Sequence, residues 1–162
     1  MTSAATGVAL RPSAYDSPEA IPLIAALQDE YRVRYGGPDE TPVDPAEFAP
    51  PRGRFVVAWL GDEPVGCGGW RDDAADPGRT AEVKRMFVSG AARRRGVARL
   101  LLAELEQSAA AAGYARMILE SGDQQPEATA LYGAAGYVPT APFGLYADAD
   151  GSIHLEKDLT RR

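Results

Sequence analysis

The sequence predicts an α/β domain with a mixed, largely antiparallel central sheet of six or seven strands flanked by helices. Strand-like segments cluster early and then alternate with helical ones, the order expected of such a layered domain. The 162 residues are 45% hydrophobic and 25% charged, the balance of a folded chain. A chain of this length buries roughly two thirds of its unfolded surface without disulfides or a structural metal, so residues 1–162 are expected to form one domain. A strand, a basic glycine-containing turn and a long helix also follow one another from Ala81 to Ala112.

Taken in order, Val8 to Pro12 (VALRP) is short, apolar and closed by a proline, a first strand. Ser17-Pro18-Glu19 opens a helix, with Ser17 as cap, Pro18 at the first helical position and Ile21, Ile24, Ala25 and Leu27 as an apolar stripe toward Tyr31. Gly36-Gly37-Pro38 stops it, and Pro38, Pro42, Pro45 and Pro50 make the next stretch a loop with at most one helical turn near Pro45 to Phe48. That loop reads as a surface connection ahead of a cover over a pocket. Arg54 to Leu60 and Pro64 to Arg71 flank the turn Gly61-Asp62-Glu63 as a hairpin, and Asp72 to Gly78 is a polar loop. Ala81 to Val88 (AEVKRMFV) is a central strand whose charges need explaining. Ala98, Leu101, Leu102, Leu105, Ala109 and Ala112 stripe a helix from Gly96 that Gly113 ends. A strand at Arg116 to Glu120, a turn at Ser121-Gly122-Asp123, a helix at Pro126 to Ala135, a strand beginning at Tyr137-Val138 and an antiparallel strand at Ile153 to Leu159 complete the chain.

With 17 Lys and Arg against 23 Asp and Glu, the net charge of −6 argues against a nucleic-acid partner. One cysteine, Cys67, makes no internal bridge, and one histidine, His154, does not complete a zinc site, so no metal is expected. No apolar run reaches the ~20 residues that span a bilayer, and Met1 to Leu10 lacks a leader's basic start and long apolar region. The expected setting is the cytoplasm, without a membrane partner. Edge strands leave a homodimer open.

The basic turn, SGAARRRG, concentrates positive charge at Arg93, Arg94, Arg95 and Arg99. At a helix start, unpaired backbone N–H groups and the helix dipole form an anion site, and a small residue lets a pyrophosphate approach. Alone, the segment reads equally as a solvated basic turn. No G-x-G-x-x-G or G-K-[ST] is present to suggest a dinucleotide or P-loop fold.

Arg93-x-x-Gly96-x-Ala98, between its strand and helix, resembles the R/Q-x-x-G-x-G/A signature of the GNAT superfamily of N-acetyltransferases, and the chain is similar to that family from about Arg54 to Leu159. The resemblance implies a GNAT-like sheet. It also implies that Arg93, Arg94, Arg95, Gly96, Val97, Ala98 and Arg99 bind the pyrophosphate of acetyl-CoA, with main-chain groups of Met86, Phe87 and Val88 along the pantetheine arm. Downstream, Gln125-x-x-Ala128-x-x-Leu131-Tyr132-x-x-x-Gly136-Tyr137 resembles the family's N-x-x-A-x-x-L-Y-x-x-x-G-F segment, with Gln125 keeping an amide toward the cofactor arm in place of asparagine.

Acetyl transfer to an amine needs a base, a stabilised oxyanion and a proton for the departing thiolate. The resemblance gives Tyr132 the last role. Glu82, a costly carboxylate inside a sheet unless paired or functional, is the candidate base, and its place resembles the strand glutamate of histone-type members. Pairing with Lys84 or Arg85 is an equal reading, Glu120 is the second candidate, and either could bind an ammonium group. A backbone N–H near Phe87 or Val88 serves the oxyanion. His154 reads as a structural or edge residue, Cys67 as a small buried side chain, and Trp59 and Trp70 as core or pocket wall. Acidic groups with Arg71, Lys84 and Arg85 suit an amino-acid-like acceptor. The expected function is therefore an acetyl-CoA-dependent N-acetyltransferase acting on a small amine, with a protein lysine or N-terminus, or a non-catalytic acyl-CoA-binding module, as alternatives.

Overall fold

Among residues 7–161, which the computed structural model describes, seven strands join one sheet. Readings of the first six residues and of the last lie outside the described part. In chain order the elements are β1 (Val8–Pro12), α1 (Ala20–Tyr35), β2 (Gly53–Leu60), β3 (Glu63–Asp72), β4 (Thr80–Val88), α2 (Val97–Ala111), β5 (Arg116–Gly122), α3 (Pro126–Ala134), β6 (Val138–Pro139) and β7 (Ser152–Asp158). Short 3-10 turns occupy Pro45–Phe48 and Gly90–Ala92. The sheet order is β1-β2-β3-β4-β5-β7-β6, antiparallel throughout except between β4 and β5. This is the mixed, largely antiparallel sheet that the segment order predicts. No helix among the described residues is long and apolar enough to cross a membrane.

Two boundaries differ from the sequence reading by more than one residue, for local reasons. Residues 17–19 form a turn that precedes α1: Ala20 and Ile21 both donate to the Ser17 carbonyl, and Ser17 Oγ accepts from Ala20 N at 3.2 Å. The expected turn at Ser121-Gly122-Asp123 is largely strand, because Ser121 and Gly122 pair with Ile153 and Ser152 of β7. The helical turn expected at Pro45 to Phe48 is present, fixed by a reciprocal cap in which Asp44 Oδ1 accepts from Ala46 N and Glu47 Oε1 accepts from Asp44 N.

The sheet is covered on both faces. One face packs under α2, where Leu101, Leu102 and Leu105 meet Val65, Trp70, Ala81, Val83, Met117 and Leu119. The other packs under α1, where Leu23 and Leu27 meet Phe48, Phe55, Val57 and Cys67. Leu105 is fully buried. Leu105→Ala is expected to cost about 3 kcal/mol through lost burial and the cavity left behind, a fall in Tm of about 6–12 °C by calorimetry for a chain of this size.

The charges on β4 follow from its pleat. Ala81 and Val83 enter the α2-side core, so Glu82 and Lys84 face the α1 side. Cys67 then pairs with Phe87 and Gly69 with Lys84, leaving Gly68 opposite two residues, Arg85 and Met86. Arg85 takes a left-handed φ of 62°, and the extra residue reverses the alternation: Phe87 joins the α1-side core while Met86 and Val88 pack on the α2 side. Two consecutive cations are thereby directed to one side. Ahead of the bulge β4 already leaves its parallel neighbour, since pairing with β5 covers only Thr80 to Glu82.

Candidate active site

Where β4 and β5 part, the structure opens a cleft of about 520 Å³ between Val83–Met86 and Leu119–Gly122. The end of α1 spans the gap. Arg34 donates to the Gln124 carbonyl and to Glu127 Oε1, both at 3.0 Å, and Tyr35 Oη donates to Gln125 Oε1 at 3.2 Å. Gly122 permits this bridge, because a Cβ there would lie 1.9 Å from Tyr35 Oη. At the mouth, Tyr146 Oη accepts from Glu40 N at 2.7 Å and joins the loop before β7 to the loop after α1.

The floor is a charged network. Lys84 Nζ donates to Asp39 Oδ2 at 2.9 Å and to Glu120 Oε1 at 3.3 Å, while Arg85 donates to the same Asp39 oxygen at 2.5 Å and to Tyr15 Oη at 3.1 Å. Gln28 holds the Asp39 backbone in place through both its N–H and its carbonyl. Burial works to raise the Asp39 carboxyl, but the charge and hydrogen bond of Lys84, with the bond from Thr41 N, outweigh it and hold the group well below the ordinary carboxylate range. Glu120 keeps one oxygen free: Oε2 is buried without a hydrogen-bond partner among the described residues.

Tyr132 lines the cleft from α3, and burial pushes its phenol up to about 12. Gln125 also lines it, with its carbonyl oxygen taken by Tyr35. Glu82, the first candidate for the base, lies beside Arg71. It is not among the described residues that line the cleft, and its Oε1 accepts from Arg71 Nε at 3.1 Å. Burial raises the Glu82 carboxyl against the opposing pull of Lys84 and Arg71. Arg71 in turn braces the loop above, donating to the Pro42 carbonyl and to Glu47 Oε1, and so does not reach the cleft as a carboxylate partner. Cys67 is buried with Sγ against the Arg85 carbonyl, and burial pushes its thiol up to about 12, the behaviour of a packing residue.

At the end of β4, Met86 faces the cleft and Phe87 is buried on the α1 side. The Val88 carbonyl accepts from Arg93 Nε at 3.1 Å, and Arg93 also pairs with Glu30 of α1. Arg94, Arg95 and Arg99 are exposed and make no side-chain ion pair among the described residues. Gly96 caps α2 in a left-handed conformation with φ 77°, and no side chain caps the helix. The N–H groups of Val97, Ala98 and Arg99 find no acceptor among the described residues, while Leu100 N closes onto the Gly96 carbonyl. Open N–H groups, the helix dipole and three unpaired arginines fit a diphosphate.

Two members of the floor have no local signature in the sequence. Asp39 sits in a proline-rich loop that reads as a connection, and only the fold brings it to Lys84 and Arg85. His154 reads as a structural or edge residue; β7 is flanked by β5 and β6, and the ring is buried opposite Glu120 with Nε2 3.7 Å from the free Oε2.

The family model described as the Acetyltransferase (GNAT) family matches residues 23–137. An "IAA acetyltransferase" of Azospirillum brasilense is 39% identical over 117 residues, 72% of this chain and 75% of that protein. A solved protein of Klebsiella pneumoniae subsp. pneumoniae, ascribed acyl-CoA N-acyltransferase activity, is 27% identical with a TM-score of 0.78, over 95% of this chain and 99% of that one. The same fold recurs at 16% identity and a TM-score of 0.67 in a GNAT family acetyltransferase of Elizabethkingia anophelis solved with acetyl-CoA bound, over 94% of this chain and 98% of that one.

Proposed function

The chain belongs to the GNAT acetyltransferase family, and from that membership we propose that it transfers the acetyl group of acetyl-CoA to the amine of a small, amino-acid-like acceptor. The observation that carries this reading is Glu120 Oε2, a buried acceptor beside the cleft with no donor among the described residues. Leaving such an atom unsatisfied costs about 1–3 kcal/mol, which an acceptor's N–H group would recover. Lys84 and Arg85 supply a cationic side suited to a carboxylate on the same molecule. The open start of α2 suits the diphosphate of acetyl-CoA, the ligand present in the Elizabethkingia relative.

When bound, acetyl-CoA supplies an electrophilic thioester carbonyl. Glu120 takes a proton from the acceptor's ammonium group, leaving the nitrogen lone pair free to form the new C–N bond. Tyr132 keeps its proton at neutral pH, because burial disfavours its phenolate, and gives it to the sulfur as the C–S bond breaks. The phenolate then takes a proton from the acylated nitrogen. The β5-facing edge of β4 beyond Glu82, which no strand among the described residues pairs, offers backbone N–H to the carbonyl oxygen. Glu82 enters this scheme as the anchor of Arg71, with Glu120 as the base.

The test is release of CoA thiol with a panel of amines and amino acids, with IAA alongside. Tyr132→Phe is expected to lower kcat about 100-fold with CoA affinity held within about twofold. An unchanged kcat would remove Tyr132 as the donor, and thiol release indifferent to every acceptor would remove the transfer reaction.

A further inference from the structure

We propose that His154 is a positioning residue for this reaction: it sits behind Glu120 and accepts the proton that Glu120 takes from the acceptor's ammonium group. The inference rests on the amine-acetylating reading above. Its foundation is geometric. Glu120 and His154 are register partners on β5 and β7, with His154 Nε2 3.7 Å from Glu120 Oε2. The imidazole side chain is 4% exposed, and Phe143 packs against it edge to face at 4.9 Å between ring centres. Among the described residues its ring makes one hydrogen-bonding contact, a long one of 3.5 Å from Nε2 to Ser152 Oγ.

Buried polar groups are normally paired, and an exception asks for a reason. Here two under-partnered groups face each other, and the proton that arrives from the acceptor satisfies both. The other charged groups around the pair are poor receivers. Lys84 already donates to both Asp39 and Glu120. Arg85 does not deprotonate, and Asp39 is committed to both cations. Glu40 and Asp150 line the cleft from the loops after α1 and before β7. In the balanced step, one proton leaves the ammonium nitrogen for Glu120 Oε2 and passes to His154 Nε2. It later returns to solvent past Ser152, which lines the cleft. Each turnover thus releases one proton while the nitrogen lone pair forms the amide bond.

His154 is the chain's one histidine, so imidazole 15N signals report it without assignment. In the ligand-free protein at pH 7, Glu120→Gln is expected to displace both ring resonances from their wild-type positions. Coincident spectra would overturn the pairing whatever the activity. In turnover, His154→Gln is expected to lower kcat about 10- to 100-fold at pH 7, with the CoA dissociation constant within about twofold of wild type. The deficit should close toward pH 9.5, where the amine arrives without its extra proton. A deficit independent of pH would overturn the relay and leave His154 a packing residue. If no amine supports thiol release by the wild type, the functional reading fails and the relay with it, while the resonance shift still reports the pairing.

Discussion

Gly96→Glu is expected to weaken CoA binding by more than about 100-fold, a loss of about 2.7 kcal/mol or more. Gly96 adopts φ 77° as the N-cap of α2, a region where an L-residue costs about 1–2 kcal/mol. The larger effect is chemical. A carboxylate at this position lies among the open N–H groups of Val97, Ala98 and Arg99 and the side chains of Arg94 and Arg95, and it occupies the anion site from within. The substitution therefore competes with the diphosphate even where the fold tolerates it. Gly96→Ala isolates the conformational part and is expected to stay within about tenfold of wild type. Calorimetric titration with CoA, alongside circular dichroism for folding, measures both. A Gly96→Glu protein that is folded and binds CoA with wild-type affinity would show that the diphosphate lies elsewhere.

The turn that this substitution probes was legible in the sequence because its signal is local: strand, basic glycine turn and apolar-striped helix are consecutive. The same holds for the β2–β3 hairpin and for the stripe of α2, where Leu101, Leu102 and Leu105 are buried as their spacing predicts. The charges of β4 were visible as an anomaly, but their partners were not. Arg71 reaches Glu82 through strand register, and Asp39 reaches Lys84 and Arg85 from a loop 45 residues away in the chain. The bulge that turns Lys84 and Arg85 to one side has no marker, since its left-handed residue is an arginine and not a glycine or asparagine. Glu120 and His154 meet only because β7 pairs with β5, a long-range register that neither segment encodes alone. Sequence patterns therefore revealed the turn proposed to take the cosubstrate's anion, while the proposed acceptor side of the cleft depended on tertiary pairing.

Asp39→Asn tests that acceptor side and is expected to destabilise the fold by about 3 kcal/mol at pH 7, because removing one partner from a buried ionic network leaves charge uncompensated. The amide keeps the shape and an acceptor oxygen but not the negative charge. Arg85 then retains its bond to Tyr15 and Lys84 its ion pair with Glu120, which keeps the loss at the lower end of the range. Calorimetry should show a fall in Tm of about 6–12 °C. The pH dependence carries the sign. The folded Asp39 carboxyl is depressed: burial alone would raise it, but Lys84 and Thr41 outweigh burial. Its contribution is therefore complete above the ordinary carboxylate range, near pH 4, and is lost as pH falls through the depressed folded value. Glu82, whose carboxyl is raised by burial, works in the opposite direction, losing stability as pH rises from the ordinary range through its raised value. It is present in both proteins and cancels in the comparison. The gap between wild type and Asp39→Asn in urea unfolding should thus be full at pH 7 and shrink steadily below pH 4. Equal stabilities at pH 7, or a gap that acid does not narrow, would mean that Lys84 and Arg85 are neutralised by something other than Asp39.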